Sequence, residues 1–193
     1  MMNAESSLEP PFTLRRLDAS DAMSYRELRL EGLRGHPEAF GAAWEDEAAK
    51  PPAWFAERLG RSAVFGGWLG GSTLVGTVGL LVPDTAKLRH KGVLWGMYVR
   101  PEVRGTGLAA ALVARVAEQA RGAVEEVQLT VVTSNTAAVR LYTRAGFSQY
   151  GLERRALKIG TQYYDEALMA LPLKQPGSVH SHVEEVPCSD NIP

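Results

Sequence analysis

Residues 99 to 113, "VRPEVRGTGLAAALV", set an arginine and two glycines between a β-branched, aromatic run and an alanine-rich one. Glycines so placed let backbone amides approach a phosphate closely, and a helix beginning there adds unpaired N–H donors and the positive end of its dipole. The chemistry on offer is anion binding; the competing reading is an ordinary strand-to-helix turn. Gly105-x-Gly107-x-x-Ala110 satisfies the dinucleotide pattern G-x-G-x-x-G/A. That pattern also needs its first glycine directly after a strand and an acid about 20 residues on, at the end of the next strand, to hold a ribose. Here "RPEVR" separates Val99 from Gly105, the second strand ends in Thr133-Ser134-Asn135, and Glu125 and Glu126 stand at its opposite end. A nicotinamide dinucleotide therefore lacks half of its site.

Composition narrows the partner. With 193 residues, 45% of them hydrophobic and 22% charged, the chain has the make-up of one globular domain with a sizeable core. A formal net charge of −1, with acids and bases mixed along the chain, offers no footprint for nucleic acid or an anionic membrane. Cys188 is the only cysteine, which excludes a disulfide or cysteine metal site within one chain. His36, His90, His180 and His182 lack ligand spacing on any one predicted element, so no metal is expected. Nothing at the start reads as a secretion signal, and a cytoplasmic protein is the expectation. Residues 62 to 82 carry no charge and are long enough to cross a bilayer. Gly70-Gly71-Ser72 at the centre is turn chemistry, however, and the run reads better as two strands of a hairpin.

The elements that must position the glycine turn follow from periodicity. Residues 1 to 11 read as an unstructured leader, 12 to 173 as the domain, and 174 to 193 as a disordered tail rich in Pro, Ser, His and Glu. Alternation predicts a strand at 12 to 17. Asp18, Ser20 and Asp21 then offer N-cap oxygens to a helix carrying Tyr25, Leu28 and Leu33, which ends at His36-Pro37. A second helix opens at Pro51-Pro52 and runs through Trp54, Phe55 and Leu59. After the hairpin, "GVLWGMYV" predicts a strand ending at Val99. Leu108, Leu112 and Val116 mark a mostly buried helix within 105 to 121. "EEVQLTVVT" is the next strand, "NTAAVRLYTRAG" the next helix with Gly146 closing it, and residues 147 to 173 supply two or more strands, the last alternating Leu168, Ala170 and Pro172. The order predicts a mixed α/β (α+β) sheet with a strand-helix-strand unit in its second half.

Arg104-x-x-Gly107-x-Ala109, followed by Asn135-x-x-Ala138-x-x-Leu141-Tyr142-x-x-x-Gly146-Phe147, resembles the two signatures of the GCN5-related N-acetyltransferase (GNAT) superfamily. The resemblance covers the order of elements from residue 12 to about 173. It implies a central, mostly antiparallel twisted sheet with a β-α-β unit that binds acyl-CoA, and helices at its flanks. It implies acetyl-CoA as co-substrate, its pyrophosphate on the amides of Arg104, Gly105, Thr106, Gly107, Leu108 and Ala109. The pantetheine arm would pair with the backbone of Met97, Tyr98 and Val99, where the strand splays from its neighbour and the thioester lies in the gap. A backbone amide of the same strand would hold the oxyanion. Asn135 would lie beside the arm and Tyr142 near the sulfur, as hydrogen-bond donor or general acid. "HPEAFG" from His36 resembles an acceptor-side loop, and many relatives dimerise through their last strands.

On this reading the protein is an N-acetyltransferase in which a primary amine attacks the thioester directly; the alternative is a non-catalytic acyl-CoA sensor. Asn135, Val139 and Tyr142 are four and three apart, so one helical face carries them. A thiol of pKa about 8.5 to 9 is a weaker base than a phenolate of pKa about 10, so full proton transfer from Tyr142 has little driving force. Tyr142 could equally pack Leu141 and Phe147 into the core. Many relatives place a glutamate on the central strand, but "GVLWGMYV" has no acid. Glu45, Glu47 and Asp165 are candidates for a base through water, for attracting a cationic acceptor, or for plain solvated surface. Trp44, Trp54, Trp68 and Trp95 fit an acceptor pocket or a core. Small amines, polyamines, antibiotics, amino acids and protein N-termini all remain open as acceptors.

Overall fold

Asp18 begins the first helical segment by accepting from the Ser20 N–H, while the Asp21 carboxylate accepts from the Asp18 N–H, a reciprocal cap. The computed structural model describes residues 12–173; the leader at 1 to 11 and the tail holding His180, His182 and Cys188 lie outside them. In chain order the elements are β1 (Phe12–Arg16), α1 (Ala22–Gly35), α2 (Trp44–Ala48), α3 (Pro52–Arg61), β2 (Ala63–Leu69), β3 (Thr73–Leu81) and β4 (Lys91–Val99). There follow α4 (Leu108–Ala120), β5 (Glu126–Val132), α5 (Thr136–Arg144), β6 (Ser148–Ile159) and β7 (Gln162–Pro172). The predicted helices and strands are all present. α2, a single turn with three acids, has too short a period to announce itself.

The strands form one seven-stranded sheet in the order β1-β2-β3-β4-β5-β7-β6, antiparallel throughout except where β4 meets β5. Residues 62 to 82 form the β2–β3 hairpin, its turn built on positive φ at Gly70 and Gly71. Both strands are buried along nearly their whole length because helices cover both faces, which explains the uncharged run that imitates a membrane span. No helix among the described residues is long and apolar enough to cross a membrane.

One face of the sheet packs against α4 and α5, with Leu108, Leu112, Val116 and Tyr142 against Val78, Leu129 and Met169. The other packs against α1 and α3, with Tyr25, Leu28, Phe55 and Leu59 against Val64, Trp68 and Leu74. Trp68 is thus core rather than acceptor pocket. Trp54 packs at the edge of that core and Trp44 stacks on Arg34, 4.4 Å away.

Two irregularities shape the middle of the sheet. β4 and β5 are paired only through Lys91↔Glu126, Gly92↔Val127 and Val93↔Gln128, although both strands continue beyond, so they diverge from residue 94 onward. In β4, Gly96 and Met97 stand opposite the single residue Val78, a bulge that Gly96 accommodates with a φ of +63°.

Candidate active site

The glycine turn fills the space between β4 and α4. Gly105 and Gly107 have φ of +83° and +89°, and a Cβ at either would meet nothing within 4 Å, so what demands glycine in the turn itself is the sign of φ. Thr106 Oγ1 donates to the Val103 carbonyl at 2.8 Å and ties the glycine turn to the single helical turn Pro101–Val103 that follows β4. Gly107 is the N-cap of α4 and offers no side-chain acceptor. The helix's first bond runs from Ala111 N–H to the Gly107 carbonyl, 3.0 Å, which leaves the amides of Leu108, Ala109 and Ala110 without a helical acceptor. Leu108 itself is core, so its N–H is what it can offer. Arg104 lies across the end of β4: Nε donates to the Val99 carbonyl at 3.1 Å, and Nη2 is 3.1 Å from His36 Nε2.

Beside this turn, on the α4/α5 face, lies a cavity of about 1220 Å³ lined by Met97, Tyr98, Val99, Arg104, Ala109 and Asn135 among others, with His36 to one side. Alternation along β4 divides these residues. Val99 and Met97 pack on the α4 side, whereas the Tyr98 ring lies on the other face against Gly32, its hydroxyl donating to Glu31 Oε1 at 3.0 Å. Burial, then that bond, pushes the Tyr98 phenol up to about 12, so Tyr98 offers the cavity chiefly its backbone. Asn135 Oδ1 accepts from Ala138 N–H at 3.1 Å and caps α5, leaving its amide donors for other partners. Tyr142 is 5% exposed, edge-on to Phe147 with centroids 5.8 Å apart, and is not among the lining residues. Burial pushes its phenol far up, so the group is a neutral donor throughout the ordinary pH range.

The opposite face holds a smaller cavity of about 400 Å³ that meets the divergence of β4 and β5, bordered by Trp95 and Gly96, by Gln128 and Thr130, and by Phe40 and Glu166. Ala39 and Phe40 line both cavities, so the loop containing "HPEAFG" joins them.

Here the expected acids need correction. Glu47 is buried and receives Arg29 through Nε (3.0 Å) and Nη2 (2.9 Å) and Arg58 through Nη1 (3.2 Å). Burial pushes its carboxyl up, but the bonds and charges of the two arginines outweigh it and hold Glu47 below the usual range. It is neither base nor solvated surface but the clamp between α1, α2 and α3. Asp165 Oδ1 accepts from Arg155 N–H at 2.8 Å and secures a bulge in β6 where Arg155 has a φ of +57°. Glu45 is exposed and outside both cavities. The acid on the wall of the smaller cavity is Glu166, beside the expected Asp165. Its signal was the alternation already visible in Leu168 and Ala170, which Glu166 continues.

The acetyltransferase (GNAT) family model matches residues 26–147. The chain is 30% identical over 149 residues to the N-alpha-acetyltransferase RimI of Mycobacterium tuberculosis, covering 77% of this chain and 86% of that one. In fold it is similar to a phosphinothricin acetyltransferase from Sinorhizobium meliloti in complex with AcCoA, with a TM-score of 0.73 and 22% identity over 91% of this chain and 95% of that one. It is likewise similar to an acetyltransferase of the GNAT family from Streptococcus pneumoniae, with a TM-score of 0.72 and 23% identity over 84% and 99%. A third likeness is yncA from Salmonella typhimurium with its cofactor acetyl-CoA, with a TM-score of 0.71 and 20% identity over 88% and 98%.

Proposed function

Since the chain belongs to the GNAT acetyltransferase family, we propose that it moves the acetyl group of acetyl-CoA to a primary amine by direct attack of the nitrogen on the thioester. The observation that carries this reading is the divergence of β4 and β5, with the larger cavity and the amide-rich turn on one face and the smaller cavity on the other. The residues fit the cofactor. A turn that leaves three helix amides unpaired suits a pyrophosphate, and a large cavity beside a strand released from its neighbour suits a long, amide-bearing arm. Bound acetyl-CoA would supply the acetyl group already activated as a thioester.

The chain's own residues then divide the work. Backbone amides from Gly105 to Ala109 hold the pyrophosphate, the Arg104 N–H being already bonded to the Pro101 carbonyl at 3.2 Å, and the backbone of Met97, Tyr98 and Val99 pairs with the arm. Asn135, its oxygen occupied in capping α5, keeps its amide hydrogens for a carbonyl of the arm. The amides at the β4 bulge stand ready for the oxygen that becomes negative during attack. Tyr142 donates a hydrogen bond to the sulfur as negative charge develops there. Its elevated pKa argues for a hydrogen bond rather than transfer of its proton, because the thiolate is far the weaker base.

The test begins with the thermal midpoint of the full chain with and without acetyl-CoA, with NADH as control. Ligand at about 100 times its dissociation constant adds roughly 2.7 kcal/mol to the native state. A rise specific to acetyl-CoA, followed by acetylation within a panel of primary amines, is the expected result. Binding without turnover across the panel would favour an acyl-CoA sensor, and no rise at saturation would remove the site.

A further inference from the structure

The smaller cavity has its own charge pattern. Its charged lining residues are Arg29, Arg58 and Glu166; both arginines pair with Glu47, Arg29 through Nε and Nη2 with its buried Nη1 left without a partner. Glu166 pairs with no lysine or arginine among the described residues. A half-buried carboxylate without a counter-ion is unfavourable by itself and calls for a cation. Along β7, Ala167 and Met169 enter the core under α4 and α5, so Glu166 points to the opposite face, where Trp95, Gly96 and Thr130 border the divergence of β4 and β5. β7 is the next strand to β5 in the sheet, about 4.8 Å away, a distance the glutamate stem spans.

We propose that Glu166 is the carboxylate that receives the acceptor's amine, which enters through the smaller cavity on the α1/α3 face and meets the acyl donor across the gap between β4 and β5. The assignment rests on the acetyl-transfer reading above. Glu166 takes one proton from the acceptor's ammonium group, and the freed lone pair forms the N–C bond to the acetyl carbon as the C–S bond breaks. A second nitrogen proton ends on the departing sulfur, giving the free thiol, and the proton on Glu166 passes to solvent. Burial first, opposed by the neighbouring Thr130 hydroxyl and reinforced by the charge of Glu153 across the β6–β7 ladder, pushes the Glu166 carboxyl above its usual range, which suits a proton acceptor. The other charged or titratable groups around the cavity are Arg29 on α1, Arg58 on α3 and Tyr150 on β6, with Glu47 on α2 behind the arginines.

The experiment compares two thioethers of coenzyme A by calorimetry on the full chain: S-(3-aminopropyl)-coenzyme A, which carries an ammonium just beyond the sulfur, and S-butyl-coenzyme A, its uncharged isostere. Wild type should prefer the ammonium compound by about tenfold at pH 7.5, the scale of a partly buried charge pair. The preference should fade as pH is lowered through the Glu166 pKa. Glu166→Gln should abolish it while keeping wild-type affinity for the butyl compound, and Glu166→Asp should retain part of it. Tight binding of both compounds with no ammonium preference, or a preference that Glu166→Gln keeps, overturns the role of Glu166 and leaves the donor site standing. Failure of both compounds to bind overturns the donor site and the proposal with it.

Discussion

Glu47→Ala removes the carboxylate that joins three helices. The side chains of Arg29 and Glu47 are each 5% exposed and that of Arg58 26%. Without Glu47, Arg58 can turn toward water, but Arg29 remains a buried guanidinium that cannot shed its proton. Breaking a buried pair from one side destabilises by about 3–5 kcal/mol, chiefly because the remaining charge is left without compensation. For a chain of this size each kcal/mol lowers the midpoint by about 2–4 °C, so the expected fall is about 6–20 °C.

Urea unfolding followed by circular dichroism, beside a thermal melt, measures it. Glu47→Gln should fall between the two, since it keeps the shape and loses the charge. Arg29→Met combined with Glu47→Leu should recover most of the loss, because the desolvation of the pair disappears with it. The pH dependence has a definite sign. The Glu47 pKa is depressed in the folded chain, so its stabilisation is complete above the ordinary value of 4.5 and is lost as pH falls below that toward the folded value. A Glu47→Ala protein within about 1 kcal/mol of wild type would refute the reasoning, since a buried unpaired charge cannot be that inexpensive.

Substitutions at three further positions probe the donor side. Gly107→Ala forces a Cβ into a left-handed conformation and should lower stability by about 1–2 kcal/mol while weakening coenzyme A binding; unchanged melts and isotherms would show that the turn tolerates another φ. Asn135→Ala should lower stability by about 1 kcal/mol through loss of the α5 cap, and Asn135→Asp should restore most of it in urea titrations. Tyr142→Phe should slow turnover by about tenfold or more with coenzyme A affinity within about twofold of wild type, and equal turnover would leave Tyr142 a packing residue against Phe147.

The elements were legible where the signal is local. Asp18 caps the short turn it precedes, with the Asp21 carboxylate accepting from the Asp18 N–H behind it, His36-Pro37 ends α1, and Gly146, with a φ of +96°, follows α5 as a helix-closing glycine. The features that make the site depend on partners distant in sequence. That β4 pairs with β5 over three residues and then leaves it is a property of two strands and the helices beneath them, invisible in "GVLWGMYV" alone. The Gly96 bulge could be suspected from a glycine within a strand, but its register against Val78 comes only with β3 in place.

The acids show the same division more sharply. Glu45, Glu47 and Asp165 look alike in sequence because what separates them lies 10 to 18 residues away: Arg155 for Asp165, Arg29 and Arg58 for Glu47. Asp165 and Glu166 are different, because a strand sends neighbours to opposite faces and the apolar partners of each are only two residues on. Ala167 and Met169 continue the Asp165 face into the core under α4 and α5, while Leu168 continues the Glu166 face. Local alternation therefore separates the two acids, but which face holds the cavity is decided by the sheet order. β7 inserted between β5 and β6, rather than added at the edge, brings Glu166 within one strand of the gap where β4 and β5 part. Had β6 taken that place, the same glutamate would stand at the sheet's edge, and an amine at the gap would have no carboxylate to meet.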